Sequence, residues 1–210
     1  MSSGGLSGVL AARNQPNDID VTRIALSGAS AGANLAASLT LLTHERPLDQ
    51  GSQIVGLGLL YPSLNLDMPH MEKRAGIDPS RLLPLWMVRL FMRGYLPPPR
   101  STSDPYVSPA LAPPADLAKF PSTVVLAAAY DYLAPEAEEF AQHLLSLGVK
   151  TEHKRFAEVG HGFDLVRARN KKQELLNNAA RDEAWEMIAR VFREVLGDEE
   201  ELIKIQVLKN

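Results

Sequence analysis

The chain has 210 residues, 45% of them hydrophobic, with a formal net charge of -3 and a pI near 6.0, which is apolar material for one core and little more. Acidic and basic residues are mixed along it, so no footprint for nucleic acid or an anionic membrane is expected, and no apolar run approaches the ~20 residues that span a bilayer. The absence of cysteine removes disulfides, thiolate nucleophiles and thiolate metal sites.

The opening, Met1 to Ala12, is small and Gly/Ser-rich with an apolar patch at Val9-Leu10-Ala11-Ala12. It lacks the basic start and the longer apolar stretch of a secretion signal, so a cytoplasmic protein is expected. After polar punctuation at Asn17-Asp18-Ile19-Asp20, Arg23-Ile24-Ala25-Leu26-Ser27 reads as a buried strand that Gly28 ends. From Ser30 to His44 small and apolar residues dominate, as in a helix packed tightly on a sheet. Ile54 to Leu60 is apolar throughout and closes at Tyr61-Pro62, which suits a strand covered on both faces, with glycines that admit a close helix.

Between Ser63 and Pro121 the chain turns proline-rich around one predicted helix, Leu82 to Tyr95, and this 63–121 stretch reads as a lid or cap inserted into a single 1–210 domain. Alternation then resumes: a strand at Ser122 to Ala128, a helix at Pro135 to Leu147 capped by Gly148, and a strand at Thr151 to Phe156. A last helix, roughly Asn178 to Leu196, puts Trp185, Ile188, Ala189, Phe192, Val195 and Leu196 on one stripe before Gly197. The tail from Asp198 is charged and then apolar, and its pattern assigns it no element. Strands alternating with helices predict an α/β fold with a mostly parallel sheet flanked by helices.

Gly28-Ala29-Ser30-Ala31-Gly32 matches G-x-S-x-G, a turn that projects a strained serine above a sheet and leaves the next N–H, that of Ala31, close to a developing oxyanion. Small residues make the bare pattern frequent, but here a strand precedes it and a helix follows. A serine needs a base to take its proton, and the base needs a carboxylate to orient it. Asp131 and His161 each lie just past a predicted strand, where open α/β sheets place their ligands, and the order Ser, Asp, His is that of α/β hydrolases. Taken singly, Asp131 reads as a capping residue and His161 as a turn residue; the three together are a catalytic constellation. His44, His70, His143 and His153 lack that context, and the chain shows neither metal-ligand spacing nor a phosphate loop, so no cofactor is expected.

Several stretches carry a wider likeness: Ile19 to Ile24, Gly28 to Ala36, Val107-Ser108-Pro109, Tyr130-Asp131-Tyr132-Leu133 and His161-Gly162-Phe163. Together they resemble the hormone-sensitive-lipase-like carboxylesterases, the α/β-hydrolase fold-3 family, over about Asp18 to Leu196. The resemblance implies Ser30 as nucleophile, Asp131 as orienting acid and His161 as base, acting on small esters of short, apolar acids. It also implies that Trp86, Leu90 and Phe91 belong to a cap that shapes the acyl pocket.

The family pattern is departed from at Ala134-Pro135-Glu136, where a second acidic residue is displaced, and upstream. Family members carry several strands, part of the cap and a His-Gly-Gly-Gly-type oxyanion loop before the serine, and Gly4-Gly5 is too short to stand in for that loop. The expectation is therefore an N-terminally truncated fold that is impaired by about 10²-fold to 10³-fold in kcat for each missing oxyanion donor. Unless Met1 to Asn17 adds a strand, its serine-bearing strand becomes a sheet edge, for which self-association or poor solubility is expected. A catalytically inactive binding protein and an incomplete product of a longer gene remain alternative readings.

Overall fold

Among the described residues, three apolar runs and one largely polar stretch form four parallel strands in sequence order, β1 (Arg23–Ala29), β2 (Gln53–Leu60), β3 (Ser122–Tyr130) and the polar β4 (Thr151–Gly160). The structure, a computed structural model, describes residues 22–73, 84–96, 101–165, 168 and 170–197. The sequence readings on Met1 to Asp20 and on the tail from Asp198 lie outside the described residues.

Parallel strands need crossover connections, and helices supply two of them, α1 (Ala31–Glu45) between β1 and β2 and α3 (Ala134–Ser146) between β3 and β4, while α4 (Lys171–Leu196) follows β4. Between β2 and β3 the chain makes the excursion that contains α2 (Leu85–Tyr95). On β3 the side chains alternate between two covered faces. Val125 and Ala127 meet Ala33, Ala37, Leu41, Phe140 and Leu144 of α1 and α3, while Val124, Leu126 and Ala128 meet Ala184, Ile188 and Val191 of α4. Burial on both faces is why β2 and β3 read as unbroken apolar runs, and each fully buried Leu or Val there contributes about 1.5–3 kcal/mol. Gly56 and Gly58 of β2 admit α4 closely, since a Cβ at either position would come within 2.9 Å of Val195 or Ile188.

Cap chemistry sets the helix ends. Gly148 at φ 82 follows α3, and the Val149 N–H returns to the Leu144 carbonyl, a Schellman closure. Asn170 caps α4 by accepting from the Gln173 N–H, and Gly197 at φ 85 ends it. The helix therefore begins at Lys171, seven residues before the expected Asn178, because adjacent Leu175 and Leu176 among polar residues give its first two turns no helical apolar period. Its buried stripe is Ala180, Ala184, Ile188 and Val191; Trp185 and Leu196, expected on that stripe, are 43% and 40% exposed. Strands β3 and β4 run two and four residues past their expected ends. Among the described residues β1 is an outer strand with Ile24, Ala25 and Leu26 half-buried, and none of the described helices is long and apolar enough to cross a membrane.

Candidate active site

The three residues singled out in the sequence meet above the C-terminal ends of the strands. Ser30 sits between β1 and α1 at φ 54, a positive value that a serine adopts only where surrounding structure holds it. Its N–H donates to the Leu60 carbonyl at 2.9 Å, which ties the turn to the end of β2. Asp131, 1% exposed, follows β3 and accepts from the Leu133 N–H through Oδ1.

His161 has further to reach, because β1 and β4 stand three strand spacings apart, about 14 Å. A bulge supplies the displacement. Ala128 pairs with Phe156 and Tyr130 with Gly160, so β4 carries two extra residues there, with Glu158 at φ 58. The turn that follows aims the imidazole back across the sheet. Its Nδ1 lies 2.6 Å from Asp131 Oδ2 and its Nε2 2.9 Å from Ser30 Oγ. A carboxylate only accepts, so Nδ1 carries the proton and Nε2 is left as an acceptor for the serine hydroxyl.

These groups face a cavity of about 330 Å³. Its floor is Ala29, Ser30, Ala31, Asn34 and His161, and its far wall is Tyr132, Leu133 and α2. Of the cap residues expected in the pocket, Phe91 lines it, whereas Trp86 and Leu90 are 66% and 59% exposed and do not. At 100° per residue, Val88, Met92 and Tyr95 share the inward face of α2, and Trp86 and Leu90 fall opposite. The family resemblance named the expected pocket residues without regard to helix phase.

A family model described as alpha/beta hydrolase fold matches residues 6–165. The chain belongs to the α/β-hydrolase fold-3 family. It is similar to an arylesterase of Saccharolobus solfataricus, 32% identical over 135 residues that cover 63% of this chain and 42% of that protein. Among solved structures, a fungal esterase of Rhizomucor miehei aligns with a TM-score of 0.69 at 26% identity, covering 88% of this chain and 57% of that one. An esterase of the archaeon Pyrobaculum calidifontis aligns with a TM-score of 0.66 at 29% identity, covering 82% and 53%. The chain spans less than half the length of the curated relatives it matches.

This fold-3 chain also uses residues that sequence reasoning missed. Tyr61, 2% exposed at φ 35, closes β2 beneath the imidazole: its ring meets His161 edge-on with centroids 4.8 Å apart, and its hydroxyl donates to Asp164 at 2.5 Å. Burial and then that hydrogen bond push the phenol above its ordinary range, so it remains a donor. Glu136, in the displaced acidic stretch, is buried and accepts from the Leu64 N–H at 2.7 Å while pairing with buried Lys73, which touches the cavity. Burial pushes the Glu136 carboxyl upward against the pull of Lys73 and the backbone donors. Asn34 is one helical turn past Ser30, a spacing that would have placed it on the same face. Among the described residues no cluster of His, Cys, Asp and Glu could hold a metal ion.

Proposed function

We propose that this chain carries the catalytic constellation of a serine carboxylester hydrolase acting on neutral esters of short, apolar acids. The observation that carries this reading is the continuous relay from Asp131 Oδ2 through both imidazole nitrogens to Ser30 Oγ, opening into an apolar cavity. Ser30 Oγ attacks the ester carbonyl carbon as its proton passes to Nε2, and Asp131 steadies the imidazolium. The negative oxygen is met by the Ala31 N–H, which as the first helical residue has no intrahelical acceptor. Collapse expels the alcohol, which takes the proton from Nε2. Water, deprotonated by the same nitrogen, then attacks the acyl carbon, and Nε2 returns the proton to Ser30 Oγ as the acyl–oxygen bond breaks and the acid leaves.

The walls support this substrate class. With Lys73 paired to Glu136, the cavity presents its substrate with apolar side chains beside the reacting groups, and at roughly 30 Å³ per small group it holds on the order of ten non-hydrogen atoms. The relatives' printed names, arylesterase and esterase, agree with this class. The test is hydrolysis of p-nitrophenyl acetate and butyrate by purified protein beside Ser30→Ala. Turnover that disappears in the variant is expected, and equal rates in the two proteins would refute the proposal.

A further inference from the structure

Asn34 is 2% exposed and uses its whole amide. Nδ2 donates to the Ser63 carbonyl at 2.7 Å and to the Val107 carbonyl at 2.9 Å, the two legs of the segment inserted between β2 and β3. Two carbonyl partners fix which end of the amide carries hydrogen, because a flipped amide would set oxygen against oxygen. Oδ1 is thereby forced toward α2, where it accepts from the Tyr95 hydroxyl at 2.7 Å. Asn34 belongs to the same helix as Ser30, and both Asn34 and Tyr95 line the cavity.

Helix α2 is thus held at two points. Near its start, Val88 is 3% exposed and packs with Met92 on Tyr132 and Leu133, beside Asp131. In its last turn the attachment is the Tyr95 hydroxyl on the nucleophile-bearing helix. From Val88 to Tyr95 the axis rises about 10 Å, so the two anchors bracket the space above Ser30. An acyl chain too long for that space must lift the Tyr95 end, which breaks a hydrogen bond and leaves Asn34 Oδ1 buried without a donor.

We propose that the Tyr95–Asn34 hydrogen bond is the size gauge of this cavity, closing its far end so that short acyl groups are admitted and long ones are not. This rests on the reading of the cavity as the ester site, and the substitution that tests it is Tyr95→Phe, which removes one oxygen and keeps the ring. The probes are pentan-2-one and decan-2-one, unreactive stand-ins for short and long acyl groups, titrated by thermal shift into Ser30→Ala and Ser30→Ala/Tyr95→Phe proteins. The expected result is a gain of about tenfold in the decanone-to-pentanone affinity ratio on losing the hydroxyl, the scale that a methylene or two carries in an apolar pocket. An unchanged ratio, equal weakening of both ketones, or binding of neither overturns the gauge.

Hydrolysis is measured separately on the Ser30 protein with and without Tyr95→Phe. A shifted ketone ratio without turnover sinks the esterase reading and keeps the gauge. Turnover whose octanoate-to-acetate preference does not rise in Tyr95→Phe sinks the gauge and keeps the esterase.

Discussion

Gly28→Ala and Gly32→Ala change the two glycines of one motif by the same methyl group, and the structure assigns them opposite outcomes. A Cβ at position 28 would stand 2.6 Å from the Ala33 nitrogen and closer still to the Gly32 carbonyl, all backbone of the first turn of α1. Ordinary contact begins at 3.4 Å, so α1 must retreat from β1 by more than about 0.8 Å, and backbone cannot rotate aside. Overpacking of this kind costs about 1–3 kcal/mol, or a fall of roughly 2–10 °C in Tm for a chain of this size. A serine displaced by nearly 1 Å from His161 also loses on the order of 10²-fold in reactivity. At position 32 nothing lies within 4 Å of the added carbon, so Gly32→Ala, inside a helix, should gain up to about 1 kcal/mol. The assays are thermal unfolding and the rate of fluorophosphonate labelling at Ser30. A Gly28→Ala protein that labels and melts like the parent would show that the strand-to-helix approach does not depend on the missing side chain.

Lys73→Met should destabilise by about 3–5 kcal/mol in urea, because it strands the buried Glu136 carboxylate; Lys73→Met/Glu136→Gln should recover most of that, and a double variant as weak as the single one would refute it. Tyr61→Phe keeps the ring against His161 but leaves Asp164 without its donor, with an expected loss of about 1.5–3 kcal/mol in urea unfolding; no loss would mean the bond contributes nothing. His44 is held below its ordinary pKa by burial and then by Lys119, so its neutral form is favoured in the fold. Its contribution is complete above about pH 6.5 and is lost as pH falls from there toward the lowered value. The urea midpoint should therefore drop less in His44→Leu than in the parent between about pH 7 and pH 5, and parallel drops would exclude His44.

Legibility followed periodicity. Strand β2, apolar on both faces, and the G-x-S-x-G turn were readable because each is local: a run of residues, or five residues between a strand and a helix. The first two turns of α4 were not, since of the two leucines in Lys171 to Asn178 only Leu176 packs on the core and the Asn170 cap alone marks their start. The resemblance named Trp86, Leu90 and Phe91 on α2 and carried no information on which face turns inward. Trp86 and Leu90 are larger than Val88, but only the angular position of Val88 brings it onto Tyr132 and Leu133. Tyr61, Asp164, Lys73 and Glu136 were invisible as partners because each pair joins residues distant in sequence, 103 apart for Tyr61 and Asp164.

The bulge that sends His161 back over the sheet has a consequence for the protein's birth. Its imidazole meets a serine made 131 residues earlier and an aspartate made 30 residues earlier, so a nascent chain holds Ser30 well before it holds the proposed base. Synthesis runs from the N-terminus, and α4, which covers Gly56 and Gly58, is the last of the described helices to emerge. Until it docks, an apolar sheet face is open to chaperones or to neighbouring chains. His161 emerges before Lys171–Leu196, so all three residues of the proposed relay are present while that face is still uncovered.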